Sequence, residues 1–236
     1  MHWFKRWLGL KPKLPDLLIT YPPYEIPYPG GGCEIDPMER AFLPSTHLDY
    51  KHITPEQAQA NLDYLLTHKQ VRIDIFACLL KHFDVDVHTG LEANNPKPFL
   101  DQLHLWVYTQ WPSVYSKKLA DPQRWWDSPK HGEDIVYSMI TDMAIVLGEL
   151  VIRHHPDFYW DLNRNPKDKA MANYLRPVIM RKPPGASYAL NAAEIADFEN
   201  SMRGRYDRVT SPGSDVDRPI SEEILELINL PPFPLE

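Results

Sequence analysis

Apolar positions recur at helical spacing along most of this chain and change to strand-like runs only late. The clearest helix start is Ile53-Thr54-Pro55-Glu56-Gln57: Thr54 is a good N-cap, Pro55 suits the first turn and Gln57 completes a capping box. Leu62, Leu65 and Leu66 then share one face. A polar break at His68–Gln70 separates them from Val71, Ile75, Cys78, Leu79 and Phe83, so the pattern predicts a helical hairpin. Asn94-Asn95-Pro96 marks a turn in the loop Gly90–Pro98, and a third helix is expected over Phe99–Gln110, with Leu100, Leu103, Trp106 and Val107 inward. The longest helix is expected from Gly132 to His155. Its apolar residues, Ile135 through Val151, cover more than a narrow stripe, which places it at the centre of the fold. Asp134, Asp142 and Glu149 mark its wetter face, and Arg153 follows Glu149 at the favourable ion-pair spacing.

Beyond Pro156 the pattern changes. Phe158–Asn163 and Arg176–Met180 read as strands, with Pro177 at a first or edge position. A helix is expected over Asn191–Met202 with Ile195, Phe198 and Met202 inward. A polar stretch 203–219 follows, then a last helix through Leu230, capped by Ser221. The fold class is therefore α+β: a mainly helical single domain with a small two- or three-stranded antiparallel sheet in the C-terminal half. Its parts are a Pro-rich arm (1–50) packed on the domain, a core (51–202), and a polar linker with an acidic helix (203–236).

Composition changes this picture in three places. The 24 prolines cluster partly in the arm, where Tyr21-Pro22-Pro23-Tyr24 and Pro27-Tyr28-Pro29 favour extended geometry. Net charge is -7, which disfavours generic nucleic-acid binding and permits a basic partner. That charge is uneven: Lys5, Arg6, Lys11 and Lys13 open the chain. Asp215, Asp217, Glu222, Glu223, Glu226 and Glu236 stand against Arg218 near its end. Met1–Leu10 lacks the apolar run and cleavage site of a signal peptide. Trp3, Phe4, Trp7 and Leu8 form a short stripe that favours docking on the domain, and no uncharged apolar run reads as a membrane span. Cys33 and Cys78 have no metal or redox spacing, and Cys78 is expected as an inert buried thiol.

Candidate chemistry is sparse. His131, Glu133, Asp134, Asp142, Glu149, His154 and His155 lie on or beside one helix, but the Glu-x-x-His step of a di-metal site is missing. Asp142, Glu149 and His154 are the set that a metal-assisted hydrolase would use. Asp84, Asp86 and His88 alternate as strand ligands would, without the glycine of a calcium loop. Ser45, Thr46, His47 and Asp49 hold hydrolase ingredients without a nucleophile elbow. Trp125-Trp126 beside Arg124 suits a core or interface anchor better than a base-stacking platform.

Leu147-Gly148-Glu149, Tyr159-Trp160-Asp161 and Arg176-Pro177-Val178-Ile179 together resemble a pattern in immunity-like proteins encoded near secreted bacterial toxins. That pattern has a helix ending in Leu-Gly-Glu, a Trp-bearing strand and a Pro-started strand. The resemblance spans about residues 135–182. It implies a non-enzymatic cytoplasmic protein that binds and neutralises a cognate toxin of an interbacterial secretion system, without a cofactor. Gly148 would permit close approach and Trp160 would pack on it. The expected contact residues are Trp125, Trp126, Asp215, Asp217, Glu222, Glu223 and Glu226, facing a basic toxin surface. The alternatives are the metal-assisted hydrolase and a structural or adaptor component of a secretion machine.

Overall fold

The computed structural model describes residues 12–31, 52–169, 173–181, 194–208 and 218–232. Within them are eight α-helices and one three-stranded antiparallel sheet, in the α+β class expected. The helices are α1 (Leu14–Leu18), α2 (Pro55–Leu80), α3 (Val87–Glu92), α4 (Lys97–Gln110), α5 (Pro122–Asp127), α6 (Ile135–His154), α7 (Phe198–Arg208) and α8 (Ile220–Ile228). The strands are β1 (Phe158–Leu162), β2 (Pro177–Arg181) and β3 (Glu194–Ala196), in the order β1-β2-β3.

Helix α6 is the hub. Every residue from Val136 to Val151 is buried, and α2, α3, α7, α8 and β1 pack around it. With the 3₁₀ turn before it, Gly132–His154 is long and apolar enough by length and composition to cross a membrane, although Asp142 and Glu149 interrupt its apolar run. Yet 89% of its apolar window is buried inside this protein, as in a core helix. Asp134, Asp142 and Glu149 are also buried, so the expected wet face does not exist.

Helix α2 begins where expected. Thr54 Oγ1 accepts from the Gln57 amide, and Gln57 Oε1 accepts from the Thr54 amide in return. The helix then runs unbroken for 26 residues, so the predicted hairpin is one helix. Its inward face continues from Leu62 and Leu65 through Arg72, Ile73, Phe76, Leu79 and Leu80. Val71 and Cys78 turn outward, reversing the expectation of a buried thiol. The polar residues read as a break include Lys69, whose ammonium meets Glu149 of α6.

The sheet pairs Trp160 with Ile179 in β1 and β2, and Met180 with Ile195 in β2 and β3. Residues 194–196 were expected in a helix, but edge pairing with β2 draws them into a strand. Asp197 then accepts the Asn200 amide as α7 begins, and α7 runs on to Arg208, into the stretch expected as polar linker. Pro177 opens β2, where no ladder donor is needed from it. A β-carbon on Gly148 would meet Cζ2 of Trp160, and Cη2 at 2.5 Å, so the helix–strand packing requires glycine there.

The described part of the arm lies on the core. Leu14, Leu18, Tyr21 and Tyr24 are buried in the main hydrophobic cluster. Cys33, Ser45, Thr46, His47, Asp49 and the stripe Trp3, Phe4, Trp7 and Leu8 lie outside the described residues, as do Asp215, Asp217 and Glu236.

Candidate functional site

Two features concentrate chemistry: a buried charge cluster between α2, α6 and α7, and an open groove between α1 and α2. In the cluster, Asp142 is wholly buried on α6. Its Oδ1 accepts from Arg72 Nε at 2.7 Å. Its Oδ2 accepts from Arg72 Nη2 at 2.5 Å and from the Tyr21 hydroxyl at 2.6 Å. This is a bidentate fork with a third donor. Burial pushes the Asp142 carboxyl up to about 6 against the pull of Arg72, Tyr21 and Lys130. Burial also raises the Tyr21 and Tyr24 phenols, with nearby carboxylates adding to it.

One turn before Asp142, Ser138 accepts from the Tyr24 amide at 2.7 Å and donates to the Lys130 carbonyl at 2.6 Å. Lys130 is buried with a left-handed backbone (φ 59°), which aims its ammonium at Thr141 Oγ1 (2.7 Å) and Glu199 Oε1. The ammonium also lies over the rings of Trp125 and Tyr24. Arg176 bonds Glu199 Oε2 at 2.9 Å and stacks on Trp126, 4.2 Å from its ring centre. Burial opposes the charge on Glu199, but the attraction of Arg176 and Lys130 and their hydrogen bonds prevail, holding its carboxyl at about 2. Burial lowers the Lys130 ammonium, so part of the pair's gain is returned. Beside Thr141 and Glu199 lies a cavity of about 30 Å³ lined by Tyr24, Leu65, Trp160 and Phe198, with room for a water but not a substrate.

These contacts decide where the sequence candidates fall. Trp125 and Trp126 are buried, so their rings serve the core and not an exposed interface. Asp142 and Glu149 do not converge with His154. Asp142 takes Arg72, whereas Glu149 Oε1 takes Lys69 Nζ at 2.5 Å and Trp160 Nε1 at 2.7 Å, displacing the expected Arg153 pair. Among the described residues no group of three histidine, cysteine or acidic side chains is arranged to hold a metal ion. Asp84 ends a 3₁₀ turn with φ 61° and Asp86 caps α3 through the Thr89 amide, so the alternating acids shape the chain. Glu223 accepts from Ser201 (2.7 Å) and Arg205 (2.8 Å), tying α8 to α7. Glu222 and Glu226 face solvent and share Arg218. Ser221 is buried within α8, and Pro219 occupies the cap position expected of it.

Comparison with known proteins found no matching family model, no matching curated protein and no matching solved structure.

The second feature is the groove, of about 340 Å³. It is lined by Leu17, Thr20, Tyr21 and Pro22 on one side, and by Val71, Asp74, Ile75, Cys78 and His82 on the other. Val71 is 56% exposed, and Ile19, 81% exposed, follows α1. Open apolar surface of this kind suits contact with another protein. Sequence reasoning missed it because the supposed break in α2 turned Val71 and Cys78 inward.

Proposed function

We propose that this chain is a binding protein that neutralises a partner by contact: an immunity protein for a secreted bacterial toxin, acting in the cytoplasm without cofactor, nucleic acid or insertion into a membrane. The observation that carries the reading is the apolar groove of Leu17, Val71, Ile75 and Cys78. An apolar anchor of the toxin fills this groove. The exposed acids Glu222 and Glu226, with a net charge of -7, favour encounter with a basic toxin surface. The resemblance over residues 135–182 supports the same class of function.

The test is co-purification of the tagged chain with products of its adjacent genes, followed by a growth assay. A tight complex with a protein that kills cells lacking this chain is expected. Val71→Glu and Ile19→Glu, both at exposed positions, should each weaken that complex by about tenfold or more while leaving the melting curve unchanged. Failure to bind any neighbouring product, or full protection by both variants, refutes the reading.

A further inference from the structure

Residues 21–31 cross the core without helix or strand, and buried side chains of other elements hold their backbone. Arg72 of α2 donates to the carbonyls of Pro22 (3.0 Å) and Pro23 (2.8 Å). Ser138 of α6 accepts the Tyr24 amide. Asn61 of α2 accepts the Tyr28 amide at 3.0 Å and donates to the Tyr28 carbonyl at 2.9 Å, as a neighbouring strand would. Arg176, next to β2, donates to the Gly30 carbonyl at 2.6 Å. Arg72, Ser138, Asn61 and Arg176 are each at most 4% exposed. Tyr21 and Tyr24 insert between these anchors, Tyr21 onto Asp142 and Tyr24 edge-on to Tyr64. The segment turns at Glu25, where the Ile26 amide donates to the Tyr24 carbonyl at 2.9 Å, and bends at Pro27 and Tyr28. Buried side chains that hold backbone groups on both sides of these turns, with pockets for spaced aromatics, fit a proline-rich segment of this shape.

We propose that the bed beneath residues 21–31 is a receptor groove for a turned segment bearing tyrosine and proline. Each molecule fills it with its own strap, and a second copy of this chain can fill it in exchange. The occupant follows from the contacts: the strap's own sequence is the ligand for which the anchors are spaced. Proline limits the entropy lost on binding, and Gly30, with φ 131°, supplies a turn at the strap's end. The proposal does not rest on the toxin reading.

The probe is a fluorescein-labelled synthetic peptide of residues 12–31, titrated into full-length protein and followed by anisotropy. In wild-type protein the tethered strap competes at high effective concentration, so binding is weak. Full-length Tyr21→Ala/Tyr24→Ala protein, its own strap loosened, should bind at least tenfold more tightly. Adding Arg72→Gln, or placing alanines at both tyrosines of the peptide, should abolish binding. A folded double variant that ignores the peptide overturns the proposal. Should that variant not fold, hydrogen exchange of wild-type protein decides. The amides of Tyr24 and Tyr28 should exchange at least tenfold faster than those of Met143–Leu147 in α6. Equal protection would mean that the strap leaves only with global unfolding, and would overturn the proposal.

Discussion

Replacing Glu199 with Gln should remove a large part of this protein's stability, and should do so in a pH-dependent way. Glu199 is the anion shared by two buried cations, Lys130 and Arg176, and also lies 3.4 Å from the Thr141 hydroxyl. Gln keeps the shape but leaves both cations without their nearest counter-charge. The magnitude follows from linkage: the carboxyl falls from 4.5 to about 2 on folding, and at about 1.4 kcal/mol per pH unit this is about 3 kcal/mol. Removing one member of a buried ion pair independently costs about 3–5 kcal/mol. Because burial also lowers the Lys130 ammonium, the smaller figure is expected. A folded-state pKa below the unfolded value means stability that is present above 4.5 and lost as the pH falls through about 2. Urea unfolding followed by tryptophan fluorescence measures it. At neutral pH the midpoint of Glu199→Gln should fall by roughly 1–2 M, given a urea slope of about 2 kcal/mol/M. The gap from wild type should then close between pH 4.5 and 2. Coincident midpoints at neutral pH, or a gap that acid leaves unchanged, would refute this account of the cluster.

The Arg72–Asp142 pair should respond asymmetrically. Arg72→Met strands a buried carboxylate and costs about 3–5 kcal/mol, whereas Asp142→Asn costs less, because a neutral group relieves the burial that lifts this carboxyl to about 6. Equal losses in denaturant titration would count against that reading. Gly148→Ala should lower stability by about 1–3 kcal/mol despite alanine's higher helix propensity, because its methyl overlaps Trp160. Combining it with Trp160→Leu should recover part of the loss in thermal melts, and strict additivity of the two would contradict the proposed overlap.

The parts legible in the sequence were those set by local chemistry. Thr54, Pro55 and Gln57 marked the start of α2 by a capping box that the fold forms. The all-round apolar pattern of Ile135–Val151 marked the hub, and the resemblance had suggested the approach of Trp160 to Gly148. What was not legible depends on distant partners. Ile195 sits in a locally helix-like stretch and becomes strand because Met180 lies beside it. Lys69 was read as part of a polar break at His68–Gln70, but it reaches Glu149 80 residues away, and Arg72, three residues on, is buried against Asp142 70 residues away. The same blindness, seen from α6, made those two acids look wet.

The unbroken course of α2 has two structural consequences. The polar run His68–Gln70 looks like a break only if its cation must face water. With matching acids on α6, Arg72 is buried, Lys69 is half-buried and α2 stays whole. Keeping α2 whole turns Val71 and Cys78 outward, and opens the groove against α1. It also points Arg72 at the strap, where its remaining donors take two proline carbonyls. Arg72 thus spends one guanidinium on both tasks, neutralising Asp142 and holding residues 22 and 23. Loss of Arg72 should therefore loosen the strap as well as the core. In hydrogen exchange, Arg72→Met should speed the Tyr24 amide more than Asp142→Asn does, since only the former removes the donors to Pro22 and Pro23. Equal acceleration by the two variants would show that the strap answers to the buried charge and not to the hydrogen bonds that hold its backbone.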